Sequence, residues 1–477
     1  MGKITGFLEH ARENFHYRPV EERIRDYREF TRTRSWEKMR EQAGRCMDCG
    51  VPFCHSSYGC PVYNLIPEWN DFVYHKRWFG AYKRLEKTNN FPEITGRLCP
   101  APCESACTLS INSSPVTIKQ LELAIIEHAF SKGWVKPRPP AFETGKNVAI
   151  IGSGPCGLAA AQQLRRAGHQ VTVMEKAREI GGLLRYGIPD FKLEKHILDR
   201  RLAQLIAEGI RFETNTVLDK DYPLSSLTRE FNAVLLTMGA GRARELEVPG
   251  RDLDGIHLAM DYLTLSNQYV SGSLERGEII SAKGKNVLVL GGGDTGSDCV
   301  GTAIRQGAKK VYQFEIMPKP REWNQDWNPE WPDWPSVLRA SSSHQEGCER
   351  RWSVLTKEFS GENGKLRKGE FIEVDWLKDP AAENYIMKEK PETHFSLEID
   401  LVLLALGFVH VERHPLLEGF GITYDEHGNI STDDHYATAV PGVFAAGDAA
   451  TGASLVVRAI WHGREAAKSI NQYLQRG

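Results

Sequence analysis

Two kinds of apolar pattern alternate with charged and turn-rich stretches along the chain. In "VTIKQLELAIIEHAF" (116–130) the apolar residues recur at helical spacing, so Ile118, Ile125, Ile126 and Ala129 share one stripe. Glu122 falls inside that stripe. A carboxylate among apolar neighbours is expected to be paired or ligating, because an unpaired buried charge is costly. The spacing leaves both readings open: a buried arginine or backbone amine as partner, or a metal. Past the linker "KPRPPAFETGK" (136–146) the pattern changes to short continuous apolar runs. NVAII (147–151), VTVME (171–175), NVLVL (286–290), VYQFE (311–315) and GVFAAGD (442–448) predict buried strands.

Two of these strands run into glycine loops. NVAII leads to Gly152-x-Gly154-Pro155-x-Gly157, then an Ala- and Leu-rich helix, then a strand ending at Glu175. The first glycine makes a tight turn, the second admits a pyrophosphate and the third lets helix and strand pack closely. The phosphates sit at the positive helix end, and the terminal acid binds a ribose. NVLVL repeats the pattern with Gly291, Gly293, Asp294, Thr295 and Gly296, and Glu315 stands where Glu175 stood. Two nested dinucleotide-binding folds are predicted. In the first, "GGLLRYGIPDFKL" (181–193) brings Gly182, Leu183, Gly187 and Ile188 toward an isoalloxazine ring. Gly447 and Asp448 end a late strand and suit a ribitol chain, and Ser454, Leu455 and Val456 open the last helix toward the flavin. The plainer alternative for Gly447-Asp448 is a turn with an N-capping aspartate. The segments 235–246 and 401–408 look like chain crossings between the two folds. The expected domains are 1–145 for the cysteine-rich region, 146–280 and 405–477 for a split FAD-binding domain, and 281–404 for an inserted NAD(P)H-binding domain.

Composition narrows the class. The chain has 477 residues, 60 basic and 62 acidic, for a net charge of −2. Nothing here asks for nucleic acid or an anionic membrane surface. No apolar run is long enough to span a bilayer, and no apolar signal-peptide core follows Met1. A cytoplasmic enzyme or subunit is expected, where thiols stay reduced.

Seven of the ten cysteines precede residue 108. "CMDCGVPFCHSSYGCP" supplies Cys46, Cys49, Cys54 and Cys60, and "CPAPCESAC" supplies Cys99, Cys103 and Cys107. Zinc knuckles want paired C-x-x-C motifs, and only Cys46 and Cys49 form one. A cubane iron–sulfur cluster fits better: three cysteines on a looping segment take three corners and a distant residue the fourth. Pro52, Pro61, Pro100 and Pro102 are expected to keep this backbone out of helix. Two cubanes need eight ligands. Seven cysteines leave one place for another side chain, and the helix at 116–130 offers Glu122 as the candidate, with the paired reading still open. Cys156, Cys299 and Cys348 read as inert thiols.

At this point the sequence resembles the small (β) subunit of glutamate synthase along nearly its whole length. The resemblance rests on "MGKITGFLE", "CMDCGVPFCHSSYGCPVYNLIPEWND", "GRLCPAPCESACTL", "GSGPCGLAAAQQL", "RYGIPDFKLEK" and "AAGDAATGASLVVRAI". The cysteine region is also similar to the N-terminal domain of dihydropyrimidine dehydrogenase. The resemblance implies an α/β chain: a helical domain with two 4Fe–4S clusters, followed by two nested Rossmann-like domains of glutathione-reductase type. It assigns Cys46, Cys49, Cys54 and Cys107 to one cluster, and Cys60, Cys99, Cys103 and Glu122 to the other. It implies oxidation of NAD(P)H at FAD and passage of electrons to the FMN of a large (α) subunit in a hetero-oligomer. That subunit makes L-glutamate from L-glutamine and 2-oxoglutarate. A related flavin–cluster protein serving ferredoxin or a sulfur substrate is the enzyme alternative; a non-catalytic zinc protein is the alternative of another class. Glu315 favours NADH, whereas family frequency favours NADPH. The tryptophan-rich run 321–334 is expected to pack on the nicotinamide domain, or else to serve as a lid or docking surface.

Overall fold

The computed structural model describes residues 2–218, 221–378 and 385–476; Met1 and Gly477, the outer limits of the expected first and last domains, lie outside the described residues. Up to Ser131 the larger elements are helices, among them Ile66–Tyr74, Trp78–Thr88, α1 (Pro92–Leu98) and α2 (Ile118–Ser131). Gly96 sets the approach of α1 to α2, because a Cβ there would stand 2.9 Å from the Leu123 side chain and 3.0 Å from its Cα. Pro102 departs from expectation. It opens a one-turn helix, Pro102–Ser105, at a position where the missing N–H has no intrahelical partner to lose.

The rest of the chain alternates strand and helix. In order come β1 (Asn147–Ile151), α3 (Pro155–Arg166), β2 (Gln170–Met174), α4 (Lys195–Ala207), β3 (Arg211–Glu213) and β4 (Ala233–Leu236). Then follow β5 (Ile256–Leu258), α5 (Ala259–Val270), β6 (Asn286–Leu290), α6 (Asp294–Gln306), β7 (Lys310–Glu315) and β8 (Glu349–Trp352). The chain ends with β9 (Leu401–Leu404), β10 (Val443–Ala445) and α7 (Val456–Arg476). The first sheet has the order β10-β4-β1-β2-β3 and the second β8-β7-β6-β9-β5. Both are parallel throughout. Their strands are apolar runs because both faces are covered, in the second sheet by helices α5 and α6 on one side and by antiparallel strands on the other. The α/β class with two nested Rossmann-type units is therefore the observed one. The second sheet begins earlier than residue 281, the expected start of the inserted domain. Ile256 pairs with Val402, which makes β5 its edge strand and α5 the crossover to β6. An antiparallel sheet of Val354–Glu362, Lys365–Lys378 and Tyr385–Glu398 stands beside it.

The N-terminal helices share one continuous apolar core with α3 and α7 of the first Rossmann unit. Buried ion pairs reinforce the junctions. Arg201 on α4 meets both oxygens of Glu93 on α1 at 2.7 Å. Glu346 accepts from Arg23 Nε at 2.7 Å and Arg305 Nη1 at 2.5 Å, and all three side chains are at most 2% exposed. This triad ties the N-terminal segment to α6 of the second unit.

Candidate functional site

The structure gathers the seven early cysteines and Glu122 around two hollows. Cys60, Cys99, Cys103 and Glu122 line one, here termed the inner hollow, together with Ile118, Lys119 and Val457. Cys46, Cys49, Cys54 and Cys107 line the outer hollow, also with Ile118. These are the same two sets of four into which the resemblance divides the residues. Among the described residues no three His, Cys, Asp or Glu side chains are arranged to hold a single metal ion. A cubane takes its ligands at separate corners, so its sulfurs stand around a hollow instead of converging on a point. The donor set suits that group: thiolates for iron, on loops held open by turns.

Glu122 is built for a specific place. It lies on α2, 6% exposed. Among the described residues neither an arginine nor a backbone amine meets it. Oε1 accepts from Asn89 Nδ2 at 2.8 Å, Thr95 Oγ1 at 2.9 Å and Asn64 Nδ2 at 3.4 Å. All three bonds fall on one oxygen, which leaves Oε2 for the hollow. Burial pushes its carboxyl up to about 7, against the pull of these donors. Burial likewise raises the free thiols, Cys99 to about 12 and Cys107 to about 11. Iron loading must therefore displace protons from them.

The hollows differ in their surroundings. Val457, in the first turn of α7, reaches the inner one, so that hollow adjoins the expected flavin side. Ile118 separates the two. The outer hollow comes to the surface at Cys49, which is exposed while the other six cysteines are buried.

The glycine loops are duplicated in detail. Gly152 and Gly291 have φ of +103° and +116°, and a Cβ there would strike Thr237 O at 2.5 Å or Ala405 O at 2.2 Å. Gly154 and Gly293 face open space at the N-termini of α3 and α6, with nothing within 4 Å of an added Cβ. That is the opening a pyrophosphate requires. At Gly157 and Gly296 a Cβ would lie 2.1 and 2.3 Å from the carbonyl of the first glycine. The strand-end acids brace these loops. Glu175 accepts from Ser153 N at 3.1 Å and Ala177 N at 2.9 Å, and Glu315 from Gly292 N at 2.5 Å and Met317 N at 3.1 Å. Thr237 Oγ1 and Gln313 Nε2 complete the parallel by donating to the carbonyls of Gly152 and Gly291.

The remaining flavin-side residues converge on the first loop. Pro155 opens α3, and Gly182, at φ +53°, approaches Gly154 Cα to 3.1 Å for an added Cβ. Leu183 opens the short helix that ends before Gly187 and Ile188. Gly447 is the N-cap of the turn Asp448–Thr451, so Asp448 is not the cap; its Oδ1 accepts from Ser454 Oγ at 2.9 Å, just before Leu455 and Val456. On the second loop, Asp294 and Thr295 begin α6. Cys156 is buried against Gly447, and burial raises its thiol, which suits packing and not reactivity.

The tryptophan-rich run does not pack only on its own domain. Trp331 Nε1 donates to the carbonyls of Ala106 and Cys107 at 3.2 and 3.1 Å, and its ring lies 4.7 Å from that of Phe53. Asn328 donates to Ser105 O at 3.0 Å and Ser110 O at 2.6 Å. Backbone carbonyls of the cysteine loop accept these donors across the domain junction. Sequence reasoning also missed Asn64, in the loop before the Ile66–Tyr74 helix, Asn89, just after the Trp78–Thr88 helix, and Thr95 on α1, which share no spacing with Glu122. Lys119 was missed as well, although its place one turn before Glu122 on α2 is a spacing the sequence shows.

A family model described as pyridine nucleotide-disulphide oxidoreductase matches residues 146–463. A second, dihydropyrimidine dehydrogenase domain II with a 4Fe-4S cluster, matches residues 23–134. The "Glutamate synthase [NADPH] small chain" of Mycobacterium tuberculosis is 51% identical, over 99% of this chain and 96% of that one. The "Glutamate synthase [NADH]" of Schizosaccharomyces pombe is 46% identical over 100% of this chain and 23% of its own length. The solved structure of Mycobacterium tuberculosis FprA in complex with NADPH superposes with a TM-score of 0.54 at 17% identity, covering 71% of this chain and 85% of that one. That likeness is one of fold.

Proposed function

The chain belongs to the glutamate synthase small-chain family, and from that premise we propose that it takes electrons from NAD(P)H and delivers them to an FMN-bearing large subunit that makes L-glutamate. It is an oxidoreductase with FAD- and NAD(P)H-binding domains and a 4Fe–4S domain. When bound, FAD accepts the two electrons of a hydride and the clusters carry them singly. In this reading Gly152, Gly154, Gly157, Glu175, Gly182 and Asp448 hold the FAD. Gly291, Gly293, Asp294, Thr295, Gly296 and Glu315 hold the nicotinamide dinucleotide. Cys60, Cys99, Cys103 and Glu122 hold the inner cluster, and Cys46, Cys49, Cys54 and Cys107 the outer one. The contact of Val457 with the inner hollow supports an inner-to-outer order, and the exposure of Cys49 supports an exit there. We assign the protein to the cytoplasm, in keeping with its ten free cysteines.

The observation that carries the reading is the identity of 51% along almost the full length of both chains, which takes in the cysteine region and both nucleotide units together. Purification of the native complex tests it. The expected result is a large FMN protein in company, glutamine-dependent glutamate formation, and about eight irons per small chain. A lone chain fully active as a dehydrogenase would overturn the pairing. Glu315, held at the end of β7 by two backbone N–H groups, presents a negative charge where a 2′-phosphate would lie, which favours NADH. Comparison of kcat/KM for the two dinucleotides decides this, and a hundredfold preference for NADPH would refute the argument from Glu315.

A further inference from the structure

One charge in the inner hollow lacks an opposite. Lys119 lines it beside Cys60, Cys99, Cys103 and Glu122, and it is the one cationic side chain of that lining. Among the described residues its Nζ makes no hydrogen bond or ion pair; its nearest ring contact is Phe15, at 5.5 Å from the centroid. Of the carboxylates near it, Glu104 is bound elsewhere, and neither Glu122 nor Asp294 forms an ion pair with it among the described residues. Glu104 is paired with Arg12 at 2.6 Å and also accepts from the backbone N of Lys119 at 2.9 Å. Burial pulls the Lys119 ammonium below its usual range, so a partner charge is what this site lacks. The lining of the outer hollow holds no cation and includes Asp48; its nearest buried arginine, Arg45 beside Cys46, is bound to the carbonyls of His10 and Ser114.

A cluster in the inner hollow supplies the missing charge. A dipositive core with three thiolates and one carboxylate carries two net negative charges, and three once reduced. In a buried site such charge requires compensation. We propose that Lys119 is the counter-charge of the inner cluster and a positioning residue for electron transfer: its ammonium stabilises the reduced state and raises the potential of that cluster alone. The inference rests on the ligand assignment proposed above.

The test is a redox titration of the purified holoenzyme followed by electron paramagnetic resonance, with Lys119→Met, Lys119→Gln and Lys119→Arg beside the wild type. Iron and labile sulfide are counted in each. The expected result is a lowered midpoint potential for one cluster in the Met and Gln variants, with the other cluster unmoved, the Arg variant close to wild type, and KM for NAD(P)H unchanged. Loss of one cluster's iron in both neutral variants, with retention in Lys119→Arg, also supports the counter-charge. Unshifted potentials at full iron content overturn it. So do equal shifts in both clusters, loss of iron in all three variants, or a raised KM with unshifted potentials, which would assign Lys119 to the dinucleotide. A wild-type protein without two 4Fe–4S clusters would instead sink the ligand assignment, before any variant is compared.

Discussion

Replacement of Glu122 separates its two duties, as acceptor for a polar cradle and as ligand. In Glu122→Ala three donors lose their acceptor: Asn89 Nδ2, Thr95 Oγ1 and the more distant Asn64 Nδ2. A buried orphaned donor costs about 1–3 kcal/mol. Thr95 has a fallback in Phe91 O at 3.3 Å, and Asn89 retains Thr95 Oγ1 at 2.8 Å, so the three do not sum in full. A loss of about 2–4 kcal/mol is expected. Glu122→Gln keeps a carbonyl oxygen for the cradle and sends an amide into the hollow, so its loss should stay below about 1 kcal/mol. Urea unfolding of the flavin-loaded protein, followed by tryptophan fluorescence, compares the two. In parallel, iron content and cluster resonances report ligation: the alanine variant should lose or alter one cluster while FAD stays bound. Full iron and unchanged cluster potentials in Glu122→Ala would refute ligation. Wild-type stability in the same variant would refute the cradle.

Glu346→Gln leaves two buried guanidiniums, Arg23 and Arg305, without their carboxylate, and should lower stability by about 3–5 kcal/mol, read as a fall in melting temperature. His344 donates from Nε2 to Gln313 Oε1 at 2.7 Å and accepts at Nδ1 from Ser341 N at 3.0 Å, so protonation breaks a bond. Burial, then Arg350 and Lys192, hold it down to about 4. Since the unfolded chain binds this proton first, its stabilisation is complete above about pH 6.5 and is lost as pH falls toward 4. Discounted for part exposure the span is about 1–2 kcal/mol, and it should vanish in His344→Gln when melting is compared across that range. Gly154→Val adds a side chain into open space, so the protein should fold yet fail to retain FAD. Gly157→Ala drives a Cβ to 2.1 Å from Gly152 O and should damage the loop itself. Flavin absorbance after gel filtration, beside circular dichroism, distinguishes the two.

What was legible in the sequence was whatever depends on neighbours in sequence. The glycine loops, the strand-end acids and the burial of Glu122 all follow from local spacing, and the structure brings those residues to the places described. The acids proved to brace their own loops, at Ser153 N and Gly292 N, a contact that spacing does not reveal. What escaped depends on distant chain segments. The cradle of Asn64, Asn89 and Thr95 meets Glu122 only after two loop segments and α1 pack against α2. Asn328 and Trp331 find the carbonyls of residues more than two hundred positions earlier. The start of the second sheet was placed too late because β5 is three residues long and shows no clear run of its own.

The triad of Arg23, Glu346 and Arg305, with Asn328 and Trp331 beside it, has a consequence for traffic through the molecule. A swing of the second Rossmann unit away from the N-terminal segment leaves Glu346 with Arg305 but strips it of Arg23, and it breaks the hydrogen bonds of Asn328 and Trp331 to the cysteine loop. The second unit is thus moored at two separate points to the part of the chain that carries the clusters, so the distance an electron must cross is fixed by the same contacts that hold the dinucleotide's domain in place.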